Sequence, residues 1–186
     1  MIWTLPNCLT LARILAAPVV GLLVIFGEGG SGAWAFAIFV AAALTDFFDG
    51  WLARKLNKVS PLGQMLDPIA DKVMVTIVLS ALISVEAHQT WLFVIPAFAI
   101  LSREILVSGL REYLGDVKLK VTQIAKWKTT LQLTAIAGFL LAQALDGLEV
   151  LDWMALIALW AAGGLTVISG WDYFRKGVSL LSEREG

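Results

Sequence analysis

The sequence predicts an all-α membrane protein with six transmembrane helices, arranged as a bundle in a single domain. Of its 186 residues, 59% are hydrophobic, and the mean hydropathy is +0.80, whereas soluble domains are about 45–50% apolar. The apolar residues form long continuous runs that reach the ~20 residues a spanning helix needs. Strands of a membrane barrel would be shorter and would alternate in polarity, so we expect the spanning segments to be helices, and residues 1–186 to form one integral membrane domain.

The predicted helices follow one another with short polar connections. We place them at Leu5–Phe26, Ala33–Leu56, Leu62–Val85, Trp91–Leu114, Ile124–Leu145 and Leu151–Phe174. A glycine-rich link, residues 27–32, separates the first two helices, and Pro61 suits the first turn of the third. The second, third and fourth helices contain charged residues that a lipid-facing helix would avoid.

Charge predicts the orientation in the membrane. The loops after the second and fourth helices and the tail after the sixth contain Arg54, Lys55, Lys58, Lys118, Lys120, Arg175, Lys176 and Arg184. The opposite connections are acidic, with Glu28, Glu86, Asp146, Glu149 and Asp152. The positive-inside rule then places both termini in the cytoplasm, and we expect the protein in the cytoplasmic membrane of a bacterium.

Single residues exclude several kinds of chemistry. Cys8 is the one cysteine, so neither an intrachain disulfide nor a thiolate metal site is expected. His88 is the one histidine and falls in a predicted loop, which argues against zinc sites and histidine catalysis.

Four aspartates in apolar surroundings are the strongest functional signal. Asp46 and Asp49 share one helix face, and Asp67 and Asp71 share a face of the next helix. Each ionised Asp costs roughly 2.5–3.5 kcal/mol at the centre of a membrane helix, so something must neutralise the group. Oxygen ligands favour Mg²⁺ or Mn²⁺, and two such ions suit a pyrophosphate substrate. A proton or cation transporter would also use intramembrane acids.

The spacing of these residues is more specific than their chemistry. Residues 46–71 read Asp-x2-Asp-Gly-x2-Ala-Arg-x8-Gly-x3-Asp-x3-Asp, and this pattern resembles the CDP-alcohol phosphotransferase family at every position. The six predicted helices and the early Asn7-x2-Thr10-x2-Arg13 are also similar to that family. The resemblance implies an enzyme in which a hydroxyl attacks the phosphorus of a CDP-linked lipid or alcohol and CMP is released. A transporter would leave the fixed glycines and arginine without a role.

The resemblance also implies roles for individual residues. Asp46, Asp49 and Asp67 would hold a pair of metal ions, and Asp71 would reach one ion and act as general base. The implied contacts to CDP-diacylglycerol are Asn7, Thr10, Gly50, Ala53, Arg54, Ser60 and Gly63. A homodimer is expected from the family as well.

The second half of the chain predicts the acceptor. Arg103 and Arg111 share one face of the fourth helix, and Lys126 and Lys128 lie at the cytoplasmic end of the fifth. These stretches resemble the family members whose acceptor is glycerol 3-phosphate, and a basic cluster suits its phosphate. The same cations also fit as positive-inside anchors. We therefore expect transfer of a phosphatidyl group from CDP-diacylglycerol to glycerol 3-phosphate, with inositol phosphate, serine or phosphatidylglycerol as rival acceptors.

Overall fold

The computed structural model describes residues 4–55, 61–85, 88–114, 123–145 and 148–185. These residues form six α-helices and no strand. The helices are α1 (Leu5–Phe26), α2 (Ser31–Lys55), α3 (Pro61–Ser84), α4 (Trp91–Leu114), α5 (Gln123–Ala144) and α6 (Glu149–Glu185). The all-α prediction is therefore confirmed for the described part of the chain.

The sixth helix is longer than the sequence predicts. Hydropathy places its end at Phe174, where the apolar run stops, but α6 continues to Glu185. Residues 175–185 contain Arg, Lys, Leu, Ser and Glu, which tolerate or favour the helix, and no proline. The apolar run ends where the helix is expected to leave the lipid, whereas the backbone hydrogen bonds of a helix continue into water.

The first helical hairpin has a well-defined turn. Thr4 caps α1 by accepting a hydrogen bond from the Asn7 backbone N–H at 3.5 Å. Beyond α1, Gly29 and Gly30 have φ angles of +33° and +76°, a region that glycine occupies without steric cost. The glycine-rich link therefore reverses the chain directly into α2.

Two groups of helices meet around one apolar core. α1 packs against α2 and α3, α6 packs against α4 and α5, and α2 joins the groups by contacting α5. The largest fully buried side chains of this core come from α2 to α6 and include Phe39, Leu79, Leu82, Phe93, Ile100, Ile136, Leu140 and Leu159. This packing brings the polar segments of α1, α2 and α3 side by side.

The contact of α2 with α5 is close enough to require a glycine. A Cβ placed on Gly32 would lie 2.9 Å from the backbone N of Ala144 and 2.9 Å from the carbonyl carbon of Gln143. Small residues allow helix backbones to approach in this way.

The outer surface is suited to lipid. Within the described part of the chain, three segments are long and apolar enough to cross a membrane, namely Asn7–Phe26, Trp91–Leu110 and Glu149–Ser179. Large apolar side chains are exposed along them, among them Leu22, Ile105 and Ile157. Trp34, Trp91, Trp127, Trp153 and Trp171 are all at least 60% exposed, as expected for aromatic side chains at membrane interfaces.

Candidate functional site

A polar stripe on α1 forms the floor of the candidate site. Asn7, Thr10 and Arg13 are spaced three residues apart, so they lie on one side of the helix. All three are buried, with exposures of 2%, 1% and 3%. Polar groups buried this deeply in an apolar helix need partners, and those of Thr10 and Arg13 include aspartates of α2 and α3.

Arg13 joins two of the predicted aspartates. Its Nη1 donates to Asp46 Oδ1 at 2.5 Å and lies 3.4 Å from Asp71 Oδ1. The Arg13 side chain is 2% exposed, whereas those of Asp46 and Asp71 are 44% and 54% exposed. A buried guanidinium therefore fixes the two carboxylates from below and leaves their other sides open.

A third aspartate is also fixed by α1. Thr10 Oγ1 donates to Asp67 Oδ1 at 2.9 Å. Asp67 and Asp71 lie one turn apart on α3, so α1 orients both. The structure thus brings three of the four predicted aspartates, Asp46, Asp67 and Asp71, to the place where α1, α2 and α3 meet.

A small cavity lies beside these carboxylates. It has a volume of about 70 Å³ and is lined by Arg13, Asp46, Asp71 and Thr129 together with apolar side chains of α2, α3 and α5. Pockets that enclose a whole small-molecule ligand measure about 300–1,000 Å³. This cavity accordingly fits a small ion or a few waters, and a larger substrate would occupy the open side.

Part of the predicted site lies outside the residues whose side chains the structure describes. The residues concerned are Asp49, Gly50, Ala53, Arg54, Ser60 and Arg111. Of the residues predicted to contact CDP-diacylglycerol, Asn7 and Thr10 lie on the α1 stripe, and Gly63 is buried in the first turn of α3. Among the described residues, no group of three His, Cys, Asp or Glu side chains is arranged to hold a metal ion.

A basic cluster forms the second part of the site. Glu104 Oε1 accepts a hydrogen bond from Lys128 Nζ, and Arg103 Nη1 lies 3.4 Å from the same oxygen. Arg103 also donates from Nη2 to Ser169 Oγ at 3.5 Å and stacks over the Tyr173 ring at 5.6 Å. The sequence predicts the cations, but the role of Glu104 in joining α4 to α5 depends on the packing of the two helices.

The basic cluster extends to α3 through a residue that the sequence did not assign to the site. Lys72 Nζ donates to Ser108 Oγ at 2.5 Å, and Ser108 Oγ donates to the backbone carbonyl of Glu104. By contrast, Lys126 has an exposed side chain, although Lys128, two residues on, is 4% exposed. Burial therefore separates the two predicted lysines.

The carboxylates and the basic cluster are neighbours along two helices. On α3, Asp71 faces Arg13 while Lys72, the next residue, bonds to α4. On α5, Lys128 belongs to the basic cluster while Thr129 lines the carboxylate cavity. Consecutive Cα atoms are 3.80 Å apart, so the carboxylates and the basic cluster adjoin each other at α3 and at α5.

His88 lies apart from this site. It stacks on Phe93 with ring centroids 4.8 Å apart and meets the edge of Phe139 at 5.0 Å. Burial lowers the pKa of His88 below its ordinary value of 6.5, and the nearby Asp152 carboxylate opposes that shift. The residue therefore packs as a neutral aromatic group between α4 and α5.

The sequence of the chain matches a known family over most of its length. The chain belongs to the CDP-alcohol phosphatidyltransferase family, whose family model matches residues 3–168. The matched range contains the polar stripe of α1, the aspartates, and the residues of α3, α4 and α5 that form the basic cluster.

Curated relatives define the similarity more narrowly. The chain is 40% identical to a CDP-diacylglycerol–glycerol-3-phosphate 3-phosphatidyltransferase of Cereibacter sphaeroides, with both chains fully covered. It is 43% identical to the protein of that name from Rickettsia typhi, over 92% of this chain and 95% of the relative. A cardiolipin synthase (CMP-forming) of Oryza sativa subsp. japonica is 37% identical, over 93% of this chain and 57% of the relative.

Proposed function

We propose that this protein transfers the phosphatidyl group of CDP-diacylglycerol to glycerol 3-phosphate, forming phosphatidylglycerol phosphate and CMP. The observation that carries the proposal is the adjacency of Asp71 and Lys72 on α3. One residue faces the carboxylates and the next faces the basic cluster, which suits an acceptor with a hydroxyl at one end and a phosphate at the other. The named relatives support the same reaction.

The carboxylates provide the donor set for a divalent metal. Asp46, Asp49, Asp67 and Asp71 offer only oxygen ligands, which suit Mg²⁺ or Mn²⁺, and Asp46 and Asp71 are half open to the water side. We propose that these four residues hold a pair of ions. When bound, such ions would polarise the phosphorus and stabilise the negative charge of the pyrophosphate.

Asp71 is the proposed general base. Arg13 contacts Oδ1 of Asp71, so that Oδ2 can face the acceptor. The C1 hydroxyl of glycerol 3-phosphate gives its proton to Asp71 while its oxygen bonds to the phosphorus that carries diacylglycerol. The bond from that phosphorus to the bridging oxygen breaks, and CMP leaves with that oxygen.

Binding roles follow from the two clusters. We propose that Arg103, Arg111, Lys126 and Lys128 bind the acceptor phosphate. The proposed contacts to the CDP headgroup remain Asn7, Thr10, Gly50, Ala53, Arg54, Ser60 and Gly63. The acyl chains of the donor stay in the lipid while its headgroup reaches the open side of the carboxylates.

The proposal includes a topology. The chain forms a single catalytic domain with six spans, with both termini and the site on the cytoplasmic side, in the cytoplasmic membrane of a bacterium, as a homodimer. The positive-inside pattern of the loops supports this orientation. The three segments that are long and apolar enough to span support residence in a membrane.

The test is CMP release by the purified protein. Release is expected to require both glycerol 3-phosphate and Mg²⁺ or Mn²⁺, and to stop when EDTA removes the metal. Asp71→Asn should lower turnover roughly 10²- to 10⁴-fold, because positioned general bases contribute about that much. Asp172→Asn is the matched control, since Asp172 is exposed on α6. Normal turnover in Asp71→Asn would rule out the base role.

A second acceptor has one observation in its favour. The rice relative is named as a cardiolipin synthase (CMP-forming), so phosphatidylglycerol belongs in the acceptor panel beside glycerol 3-phosphate, inositol phosphate and serine. CMP release with phosphatidylglycerol and not with glycerol 3-phosphate would replace the proposed acceptor.

A further inference from the structure

Among the described cations of the basic cluster that are not fully exposed, Lys72 is the one that no carboxylate contacts. Its Nζ donates to the neutral hydroxyl of Ser108 at 2.5 Å, and no carboxylate among the described side chains pairs with it. Glu104 is instead shared by Arg103 and Lys128. The ammonium of Lys72 is therefore oriented by its environment without being neutralised.

The described cluster carries excess positive charge. Arg103 and Lys128 contact the single carboxylate of Glu104, and Lys72 adds a third positive charge, close enough to Lys128 for the two to repel. Arg103 Nε is also buried with no hydrogen-bond partner among the described atoms. Buried charge without compensation is costly, so this cluster is built to receive an anion.

The anion that matches best carries two charges. A phosphate monoester has a charge of about −1.5 to −2 near pH 7, whereas a phosphodiester carries one negative charge and a plain alcohol none. Asp71 and Lys72 are consecutive on α3 but point about 100° apart, so an acceptor that contacts both must extend from the carboxylates to the basic cluster.

We propose that Lys72, oriented by Ser108, is a specificity-determining residue that binds the phosphate monoester of the acceptor and selects it over phosphodiesters and uncharged alcohols. This inference rests on the proposed function. Two consecutive residues of α3 then have different roles, because Asp71 receives the proton of the acceptor and Lys72 binds its phosphate.

The competing explanation is that Lys72 only ties α3 to α4. If Lys72 only links α3 to α4, its substitution should lower the stability of the protein and reduce turnover in general. A phosphate ligand predicts a selective rise in the KM for glycerol 3-phosphate, with the KM for CDP-diacylglycerol unchanged. The two roles therefore separate in steady-state kinetics.

The experiment compares Lys72→Met, Lys72→Arg and Ser108→Ala with wild type. Lys176→Met is the matched control, because Lys176 is exposed on α6. Lys72→Met should raise the KM for glycerol 3-phosphate roughly 10- to 100-fold, the range expected for a hydrogen bond to a charged group. Lys72→Arg should restore part of this loss, and Ser108→Ala should raise the same KM a few-fold. Lys176→Met should match wild type.

Competition with inorganic phosphate provides a second readout. Inorganic phosphate should inhibit wild type in competition with glycerol 3-phosphate and should inhibit Lys72→Met at least tenfold more weakly. An unchanged KM and unchanged phosphate inhibition in Lys72→Met would overturn the proposal. If Lys72→Met loses its thermal transition, Lys72→Arg and Ser108→Ala decide, and wild-type KM values in both would overturn it.

The outcomes distinguish this inference from the proposed function. If wild type releases no CMP with glycerol 3-phosphate, the proposed function itself is wrong. If wild type turns over and only the Lys72 result fails, the reaction stands and the acceptor phosphate is held by the other cations.

Discussion

Arg13 determines how the carboxylates of the site are arranged. It is buried in the apolar α1 and contacts an aspartate of α2 and another of α3. Two carboxylates at close range repel each other. A guanidinium between them attracts both carboxylates and so offsets their repulsion. The sequence predicts that metal ions compensate the charge of the carboxylates, and Arg13 provides part of that compensation.

Removal of this guanidinium should destabilise the protein. Arg13→Gln is expected to lower the free energy of unfolding by about 1–3 kcal/mol, less than for fully buried pairs because Asp46 and Asp71 are half exposed. Unfolding by SDS from mild detergent micelles measures this change. Arg175→Gln, on the exposed end of α6, is the control, and equal stability of the two variants would contradict the role of Arg13.

Described side chains of α3 belong to both the carboxylates and the basic cluster. One of its faces presents Asp67 and Asp71 to α1, and Lys72 points to α4. Neighbouring residues on a helix point about 100° apart, as follows from 3.6 residues per turn. A single rigid helix can therefore hold a carboxylate and an ammonium at a constant separation while directing them to different partners.

The contact of α2 with α5 offers a test of helix packing. Gly32→Ala should destabilise the protein, because the added methyl group would meet the backbone of Ala144 and Gln143, which cannot move aside as a flexible side chain can. Gly164→Ala has open space around its Cβ and should be neutral or slightly stabilising, because alanine favours helix by up to about 1 kcal/mol. Thermal unfolding in detergent compares the two, and equal midpoints would show that the α2–α5 contact is looser than described.

At the scale of the whole molecule, the proposed orientation requires the site to open toward the cytoplasm, where the water-soluble acceptor is found. The connections that the sequence assigns to the two sides of the membrane differ in charge, and this difference is the physical basis of the proposed orientation. Residues at opposite ends should therefore be reachable from opposite sides of the membrane.

Cysteine labelling tests this orientation. In a Cys8→Ser background, a membrane-impermeant maleimide should label Glu28→Cys in intact cells, because Glu28 is exposed in the link between α1 and α2. Lys176→Cys, on the exposed face of α6, should react only after the membrane is permeabilised. The reverse labelling pattern would invert the topology and place the candidate site outside the cytoplasm.

Local chemistry explains which features of this protein follow from its amino-acid sequence. Long apolar runs predict the helices, because a helix satisfies its backbone hydrogen bonds within itself. The bounds of α1 to α5 agree with prediction to within two residues. Helical spacing likewise predicts that Asp67 and Asp71 share a face, and the motif from Asp46 to Asp71 indicates the family that the comparison confirms.

Contacts between distant segments were decided by the tertiary structure alone. Arg13 reaches Asp46 and Asp71 across 33 and 58 residues of sequence, and Lys72 reaches Ser108 across 36. Spacing within one helix determines which side chains share a face, but it carries no information on which face of another helix they meet. The packing of α1 on α3 and of α3 on α4 supplies that information, and with it the partners of Arg13 and Lys72.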